Sequence, residues 1–129
     1  MIVSPVKGNG DELWPKALNY DPQTKILQIV FNGGDIFDLA AEYLRIESPS
    51  AEVRGHDPAK RKVVSGRRKV GIVNIEPVGN YAVRLIFDDL HETGIYSWRY
   101  LYELGRDHSS RWQRYLEELE ALGLNRDSP

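Results

Sequence analysis

Residues 70–105, VGIVNIEPVGNYAVRLIFDDLHETGIYSWRYLYELG, decide the fold. They open with two runs suited to β-strands, Val70–Glu76 and Tyr81–Phe87, and Pro77-Val78-Gly79-Asn80 separates these runs as a turn. Large residues take every second position of the second run and so share one face of a strand: Tyr81, Val83, Leu85 and Phe87. The pattern predicts a hairpin with one buried side.

The same stretch then changes from strand to helix. Asp88–Gly94 predicts a further turn, and Ile95-Tyr96 predicts a short strand. Ser97 is a suitable N-cap for a helix that Gly105 is predicted to end. The apolar residues of that helix are Trp98, Leu101 and Leu104.

A last helix is predicted before Gly123, which is suited to end it. Ser110 and Gln113 fit a capping box at its start, and Asp107 is the alternative cap. The apolar residues recur at helical spacing: Trp112, Tyr115, Leu116, Leu119 and Leu122.

Toward the N-terminus, Trp14-Pro15 begins the fold and Asp21-Pro22-Gln23-Thr24 predicts the turn of another hairpin. Large residues alternate on both of its arms: Leu18, Tyr20, Leu27, Ile29 and Phe31. Asn32–Asp35 predicts a second turn, followed by a short strand at Ile36-Phe37.

Asp38 is predicted to cap a short helix from Leu39 to about Arg45. This helix is predicted to bury Leu39, Tyr43 and Leu44. The polar stretch that follows it is predicted to be mainly loop, with Val63-Val64 as the place for a short strand.

The order of the elements favours an α+β fold. Antiparallel β-hairpins would form a small sheet or roll, with one short helix between them and two C-terminal helices packed on the sheet. We expect one domain at residues 13–123, between a flexible N-terminus (1–12) and a flexible C-terminus (124–129).

The composition excludes several kinds of site. The chain has 129 residues, a net charge of −2 and no cysteine, so disulfides, zinc–thiolate sites, iron–sulfur ligation and cysteine nucleophiles are excluded. The sequence shows neither a signal peptide nor an apolar stretch of the ~18 residues that span a bilayer. We therefore expect a cytoplasmic protein.

Two segments carry a resemblance to a known family: EYLRIESPSAEVRGH, Glu42–His56, and VGNYAVRLIFDDLHETGIYSWRYLYELG, Val78–Gly105. The chain resembles the gamma-butyrobetaine hydroxylase-like N-terminal domain in a free-standing bacterial form. In the eukaryotic hydroxylases this domain precedes an iron- and 2-oxoglutarate-dependent oxygenase domain. There it holds a structural zinc through a Cys-x-Cys-x-x-Cys run and a distant His.

The resemblance places the three cysteine positions on Ser48, Ser50 and Val53 and the histidine on His91. One imidazole cannot replace three thiolates, because a structural zinc needs about four ligands. We therefore expect a zinc-free form of the domain with no cofactor. Similar domains are also fused to P-loop ATPases that carry iron–sulfur clusters. This likeness implies an accessory role in iron–sulfur assembly, with such an ATPase as the protein partner.

The sequence argues against oxygenase chemistry, which needs two His and a carboxylate around one iron. None of His56, His91 and His108 is followed two positions later by an acid. The run Asp88-Asp89-Leu90-His91-Glu92 invites a metal-binding interpretation. A solvated acidic turn is the favoured one. If a metal binds, His91 is the first ligand, with Asp88, Asp89 or His56 beside it.

Basic residues concentrate between Arg54 and Lys69, a stretch that contains a single acid, Asp57. A solvated loop is the favoured interpretation. An anion- or partner-binding site is the alternative, and an acidic protein surface suits it better than DNA, since the stretch has no aromatic residue to stack on a base. The residues are Arg54, Lys60, Arg61, Lys62, Arg67, Arg68 and Lys69.

Aromatic residues crowd the C-terminal third, and core packing is favoured over a protein-binding patch for them: Tyr96, Trp98, Tyr100, Tyr102, Trp112 and Tyr115. The sequence has no GxSxG motif and no pair of carboxylates that it places across a cleft. The leading hypothesis is a non-catalytic accessory or protein-interaction domain that is linked to iron–sulfur or other metalloprotein assembly. The alternatives are a nucleic-acid or phosphate-binding module using residues 54–69 and a metal-binding protein centred on His91.

Overall fold

The structure, a computed structural model, describes residues 2–3, 13–49, 63–92 and 94–127. It contains seven strands and three helices in these ranges, and the predicted α+β class is confirmed. The strands form two antiparallel sheets, of order β1-β2-β3-β4 and β5-β6-β7, rather than one. The elements are β1 (Ile2–Val3), β2 (Pro15–Asp21), β3 (Ile26–Phe31), β4 (Ile36–Ala40), α1 (Ala41–Ile46), β5 (Ile72–Val78), β6 (Ala82–Phe87), β7 (Gly94–Ser97), α2 (Trp98–Arg106) and α3 (His108–Leu122).

The hairpin of β2 and β3 closes as its sequence predicts. Asp21 Oδ1 accepts a hydrogen bond from the Gln23 amide at 2.9 Å. The carbonyl of Asp21 accepts another from Lys25 N at 2.7 Å. Lys25 takes a left-handed backbone, with φ 59°. The turn is therefore held by the local bonds that an Asp at its first position can make.

The predicted strand at Ile36-Phe37 is present but longer, and the prediction of an Asp38 cap is wrong. β4 pairs with β3 along its whole length, from Ile26↔Ala40 to Val30↔Ile36, so Asp38 and Leu39 belong to the strand. Helix α1 begins at Ala41, and Ala40 takes the cap position without a side-chain bond. The backbone of residues 38–40 bonds to β3, which extends the strand at the expense of the helix.

The hairpin of β5 and β6 has a tighter turn than predicted. Pro77 and Val78 belong to β5, where they pair with Val83 and Ala82. Pro77 is tolerated because β5 is an edge strand. Gly79 has φ 57°. Tyr81 is exposed and does not share the buried face of Val83, Leu85 and Phe87.

Val63-Val64 is not a strand, contrary to the prediction. The carbonyl of Val64 accepts a hydrogen bond from the Tyr115 hydroxyl at 2.6 Å. The Val64 side chain packs with Ile46, Tyr115 and Leu119 in a small cluster. Helix α3 therefore holds residues 63–64 in place through these contacts, and not through the backbone bonds of a strand.

The helices begin and end partly as predicted. Ser97 caps α2, and its Oγ accepts from Tyr100 N at 3.1 Å. Gly105 does not end α2, which continues to Arg106. A Cβ on Gly105 would lie 2.3 Å from the Phe37 ring, so this glycine lets α2 approach β4 closely.

Helix α3 begins at His108, directly after Asp107, so the predicted capping box is wrong. Ser110 lies inside the first turn, and its hydroxyl donates to the carbonyl of Asp107 at 3.0 Å. Gly123 ends α3 with φ 68°, as predicted.

Helix α1 lies at the centre of the molecule. All six of its residues are buried, and so are the next two, Glu47 and Ser48. The main core joins apolar residues of both sheets with Ala41, Tyr43 and Leu44 of α1 and with the apolar face of α2. Any loop that bonds to α1 is therefore attached to the most buried part of the protein.

Both ends of the described chain contact the domain. Ile2 and Val3, in the stretch expected to be flexible, pair with Asn19 and Leu18 of β2. Beyond Gly123, the carbonyls of Asn125 and Arg126 accept hydrogen bonds from Gly66 N and Arg68 N, each at 3.0 Å.

Candidate functional site

Two of the residues that the resemblance assigns to one site are in contact. A hydrogen bond of 2.8 Å joins Ser48 Oγ and His91 Nε2. The exposed fractions of the two residues are 0% and 4%. Gly94 makes room for this pair, since a Cβ there would lie 2.7 Å from Ser48 Oγ. The other candidate positions, Ser50, Val53 and His56, lie outside the described residues.

A neutral hydroxyl and an imidazole satisfy each other here, so the pair can hold the turn in place without a metal. Across the described ranges, no cluster of three or more His, Asp or Glu residues is arranged to hold a metal ion. The pair also lacks the exposure that a serine nucleophile needs to meet a substrate. We interpret its role as attachment of the turn to the buried segment that follows α1.

Asp89 is held by two guanidinium groups. Its Oδ2 lies 2.8 Å from Arg45 Nε and 2.8 Å from Arg67 Nε. Its Oδ1 accepts from the backbone N–H of His91 at 3.2 Å. Burial raises the pKa of Asp89, but the hydrogen bond and charge of Arg45, with help from the His91 amide and Arg67, bring it below its ordinary value. Asp89 is therefore a fixed anion at neutral pH.

Leu90 lies between these two anchored residues and is 90% exposed. Its φ is 70°, a left-handed backbone that a leucine rarely takes. Leu90 N donates to Phe87 O at 3.2 Å, and Phe87 N donates to His91 O at 2.9 Å. The Leu90 turn, residues 88–92, thus presents a large apolar side chain from a fixed backbone. Sequence reasoning missed it, because DDLHE reads as an ordinary acidic turn.

The described part of the basic stretch lies beside this turn. Arg67 pairs with Asp89, whereas Arg68 pairs with Asp127, its Nε 2.6 Å from Oδ1. Lys69 is exposed, and its carbonyl accepts a hydrogen bond from Lys25 Nζ. The remaining basic candidates lie outside the described residues: Arg54, Lys60, Arg61 and Lys62.

A cleft of about 210 Å³ lies where residues 66–70 meet the Leu90 turn. Its lining combines Gly66, Arg67, Lys69 and Val70 with Asp88 and Asp89. Asp88 is exposed, and its backbone N–H donates to Gly71 O at 2.9 Å. The cleft therefore brings together residues from two motifs that the sequence analysis treated separately.

The charged residues in and after α1 have partners on three different segments. Arg126 holds Glu42 through two hydrogen bonds of 2.7 and 2.8 Å, and Arg111 holds Glu47 at 2.9 Å. Arg45 holds Asp89. The guanidinium of Arg126 also lies over the Trp112 ring at 5.0 Å. These pairs attach the C-terminal segment, α3 and the Leu90 turn to α1.

Most of the aromatic residues pack in the core, as expected, and several of their hydroxyls bond to distant backbone carbonyls. The hydroxyls of Tyr43 and Tyr96 donate to the carbonyls of Leu104 and Leu44, at 2.7 and 2.5 Å. Tyr100 donates to Glu47 O at 2.5 Å. Burial raises the pKa of both Tyr43 and Tyr96, so these hydroxyls remain donors at neutral pH.

Within the described ranges, no helix combines the length and the apolar character that crossing a bilayer requires. No curated protein is similar enough to match the chain.

Solved structures do match. One protein, solved in solution by NMR, is 40% identical over 94% of this chain and 90% of its own, with a TM-score of 0.78. A second NMR structure is 43% identical over 88% and 89%, with a TM-score of 0.76. A crystal structure from Acidithiobacillus ferrooxidans is 29% identical over 79% and 92%, with a TM-score of 0.59. It is described as a protein of unknown function in the DUF971 family.

The family model described as gamma-butyrobetaine hydroxylase-like, N-terminal, matches residues 18–102, which is more than half of the chain. This range contains the second half of β2, all of β3 to β7, α1 and the Leu90 turn. The chain belongs to the gamma-butyrobetaine hydroxylase-like N-terminal domain family.

Proposed function

We propose that this protein is a non-catalytic accessory domain that acts by binding a protein partner through the Leu90 turn. The observation that carries the proposal is the exposed Leu90 on a left-handed backbone. A single exposed leucine is ordinary on a protein surface. A leucine held at positive φ is uncommon, and such strain concentrates at binding and catalytic sites.

The surroundings of Leu90 supply what a binding anchor needs. Asp89 on one side is bonded to Arg45, and His91 on the other side is bonded to Ser48. Both of these partners are buried: Arg45 lies in α1, and Ser48 lies two residues after its end. Because the turn is ordered before a partner arrives, binding costs little conformational entropy.

The partner class comes from the resemblance. Related domains fused to P-loop ATPases that carry iron–sulfur clusters imply that such an ATPase is the partner. An accessory role in iron–sulfur or other metalloprotein assembly is therefore part of the proposal. The family itself is one of unknown function.

Leu90→Ser tests the proposal, with Leu122→Ser as the matched control, since Leu122 is also an exposed leucine. Binding of each purified variant to an iron–sulfur P-loop ATPase of the same organism is measured by calorimetry. We expect Leu90→Ser to weaken binding about tenfold, because it removes roughly 1.5 kcal/mol of apolar burial. Leu122→Ser is expected to bind like the original protein.

Equal binding by Leu90→Ser and the original protein would reject the Leu90 turn as the contact. Turnover of a small substrate by the purified domain would reject the non-catalytic role. Salt-dependent binding to RNA or DNA, in the absence of any protein partner, would favour the nucleic-acid alternative.

A further inference from the structure

The cleft beside the Leu90 turn indicates the chemistry of the partner. We propose that the cleft binds the carboxylate of an Asp or Glu side chain on the same protein segment that contacts Leu90. This inference rests on the proposed function and specifies what the partner must carry: an acidic residue next to an apolar one.

The charge around the cleft favours an acidic group. Arg67 and Lys69 line the cleft with Asp88 and Asp89, and two further basic side chains bond to these walls, Arg45 to Asp89 and Lys25 to the Lys69 carbonyl. The chain as a whole has a net charge of −2. The local balance is thus opposite in sign to that of the molecule. The four basic residues are Lys25, Arg45, Arg67 and Lys69.

Asp89 does not cancel this positive charge. Asp89 is shared between Arg45 and Arg67, so two guanidinium groups face one carboxylate. Arg67 keeps about a third of its side chain exposed, at 35%. Lys69 is also exposed. An incoming carboxylate can therefore pair with Arg67 or Lys69 while Asp89 keeps its bond to Arg45.

The walls are fixed before binding. Gly66 N and Arg68 N donate to the carbonyls of Asn125 and Arg126, and Arg126 is itself bonded to the buried Glu42. On the other side, Asp88 N donates to Gly71 O. The C-terminal segment thus positions Arg67 and Lys69, and little ordering is required when a partner binds.

The size and position of the cleft suit a side chain. Its volume of about 210 Å³ is below the roughly 300–1,000 Å³ of most small-molecule sites. Asp89 lines the cleft and Leu90 follows it, so their Cα atoms are about 3.8 Å apart. A segment with Glu and Leu in alternation can therefore fill the cleft and contact Leu90 together. Among the described residues that line the cleft, none is an aromatic that could stack on a nucleic-acid base.

Two peptides of matched length test the inference: acetyl-Glu-Leu-Glu-Leu-amide and its neutral analogue with Gln in place of Glu. Amide shifts of the ¹⁵N-labelled full chain are followed by NMR. We expect the acidic peptide to shift the amides of residues 66–71 and 88–92. We expect it to bind about threefold to fivefold more tightly than the neutral one, the range for a partly exposed ion pair.

Lys69→Gln is expected to reduce that preference, since Arg67 remains, whereas Lys16→Gln, at an exposed position on β2, is expected to keep it unchanged. Preserved amide dispersion shows that each variant is folded. Equal binding of the two peptides, or no shift with either at millimolar concentration, overturns the carboxylate site. Tighter binding of inorganic phosphate or oligo(dT) at the same amides overturns it as well.

The outcome is separable from that of the proposed function. If both peptides bind equally and Leu90→Ser abolishes both, the Leu90 turn stands and the carboxylate site fails. If the acidic preference persists while the ATPase binds Leu90→Ser normally, the carboxylate site stands and the proposed contact fails.

Discussion

Helix α1 and the Leu90 turn are bonded to each other, yet they place their side chains in opposite ways. α1 buries Glu42 and Arg45, and each has a charged partner within the molecule. The Leu90 turn exposes a leucine at positive φ, and the bonds of its neighbours Asp89 and His91 hold the backbone in that conformation. The difference shows that the buried charges are stabilised by partners inside the domain, whereas the exposed leucine of the turn is suited to a contact outside it.

The largest loss of stability is expected from a change in the buried helix α1. Arg45→Ala removes a side chain that is 2% exposed and separates the turn from α1. We expect unfolding free energy to fall by about 3–5 kcal/mol, as when one partner of a buried ion pair is removed. Urea denaturation measures it. Arg84→Ala, which breaks an exposed pair with Glu76, is the control and is expected to cost under about 1 kcal/mol.

Asp89 belongs to both regions, so its charge can be tested with pH. Because the folded pKa of Asp89 lies below its ordinary 3.8, the stabilisation is fully present above that value and is lost as pH falls through the folded pKa. We expect Asp89→Asn to be less stable than the original protein at pH 7 by about 1.5–3 kcal/mol. That difference should shrink below pH 4 in urea titrations. A difference that stays constant to pH 2 would contradict the ion pair.

Leu90→Gly is expected to change the unfolding free energy by a smaller amount and in the opposite direction. Glycine takes positive φ without the steric cost that leucine meets, and the leucine side chain contributes little burial. The unfolding free energy should stay the same or rise by up to about 1 kcal/mol. Partner binding should weaken in the same variant. A loss of stability in thermal denaturation would mean that Leu90 supports the fold instead.

The smallest effect is expected from a chelator. Ser48 and His91 bond to each other, and the melting temperature should therefore be unchanged by EDTA. A fall in melting temperature that His91→Ala abolishes would restore the alternative of a metal-binding protein. Elemental analysis of the purified protein completes the measurement.

The sequence predicted most elements because their signals are local. The Asp21 turn, the Ser97 cap and the Gly123 end all depend on bonds within a few residues. The failures share a different cause. Asp38 joins a strand because β3 pairs with it, and Gly105 lies inside a helix at a point where the Phe37 ring leaves no room for a Cβ. These outcomes depend on distant partners that local patterns do not contain.

The candidate site was predictable only in fragments. The resemblance placed Ser48 and His91 at one site, and the structure shows them in contact. The basic stretch and the acidic turn were both noticed, but the contact between Arg67 and Asp89 was not expected. Leu90 carried no sequence signal, since exposure and φ are properties of the folded chain.

By itself, the sequence determined the α+β class, the absence of cysteine chemistry and the resemblance to a domain family. These follow from residue types and from spacing along the chain. Only the tertiary structure decided that Arg45, Arg67 and Asp89 meet beside an exposed Leu90. The reason is physical: an ion pair between residues 44 positions apart forms only when packing has brought α1 and the turn together.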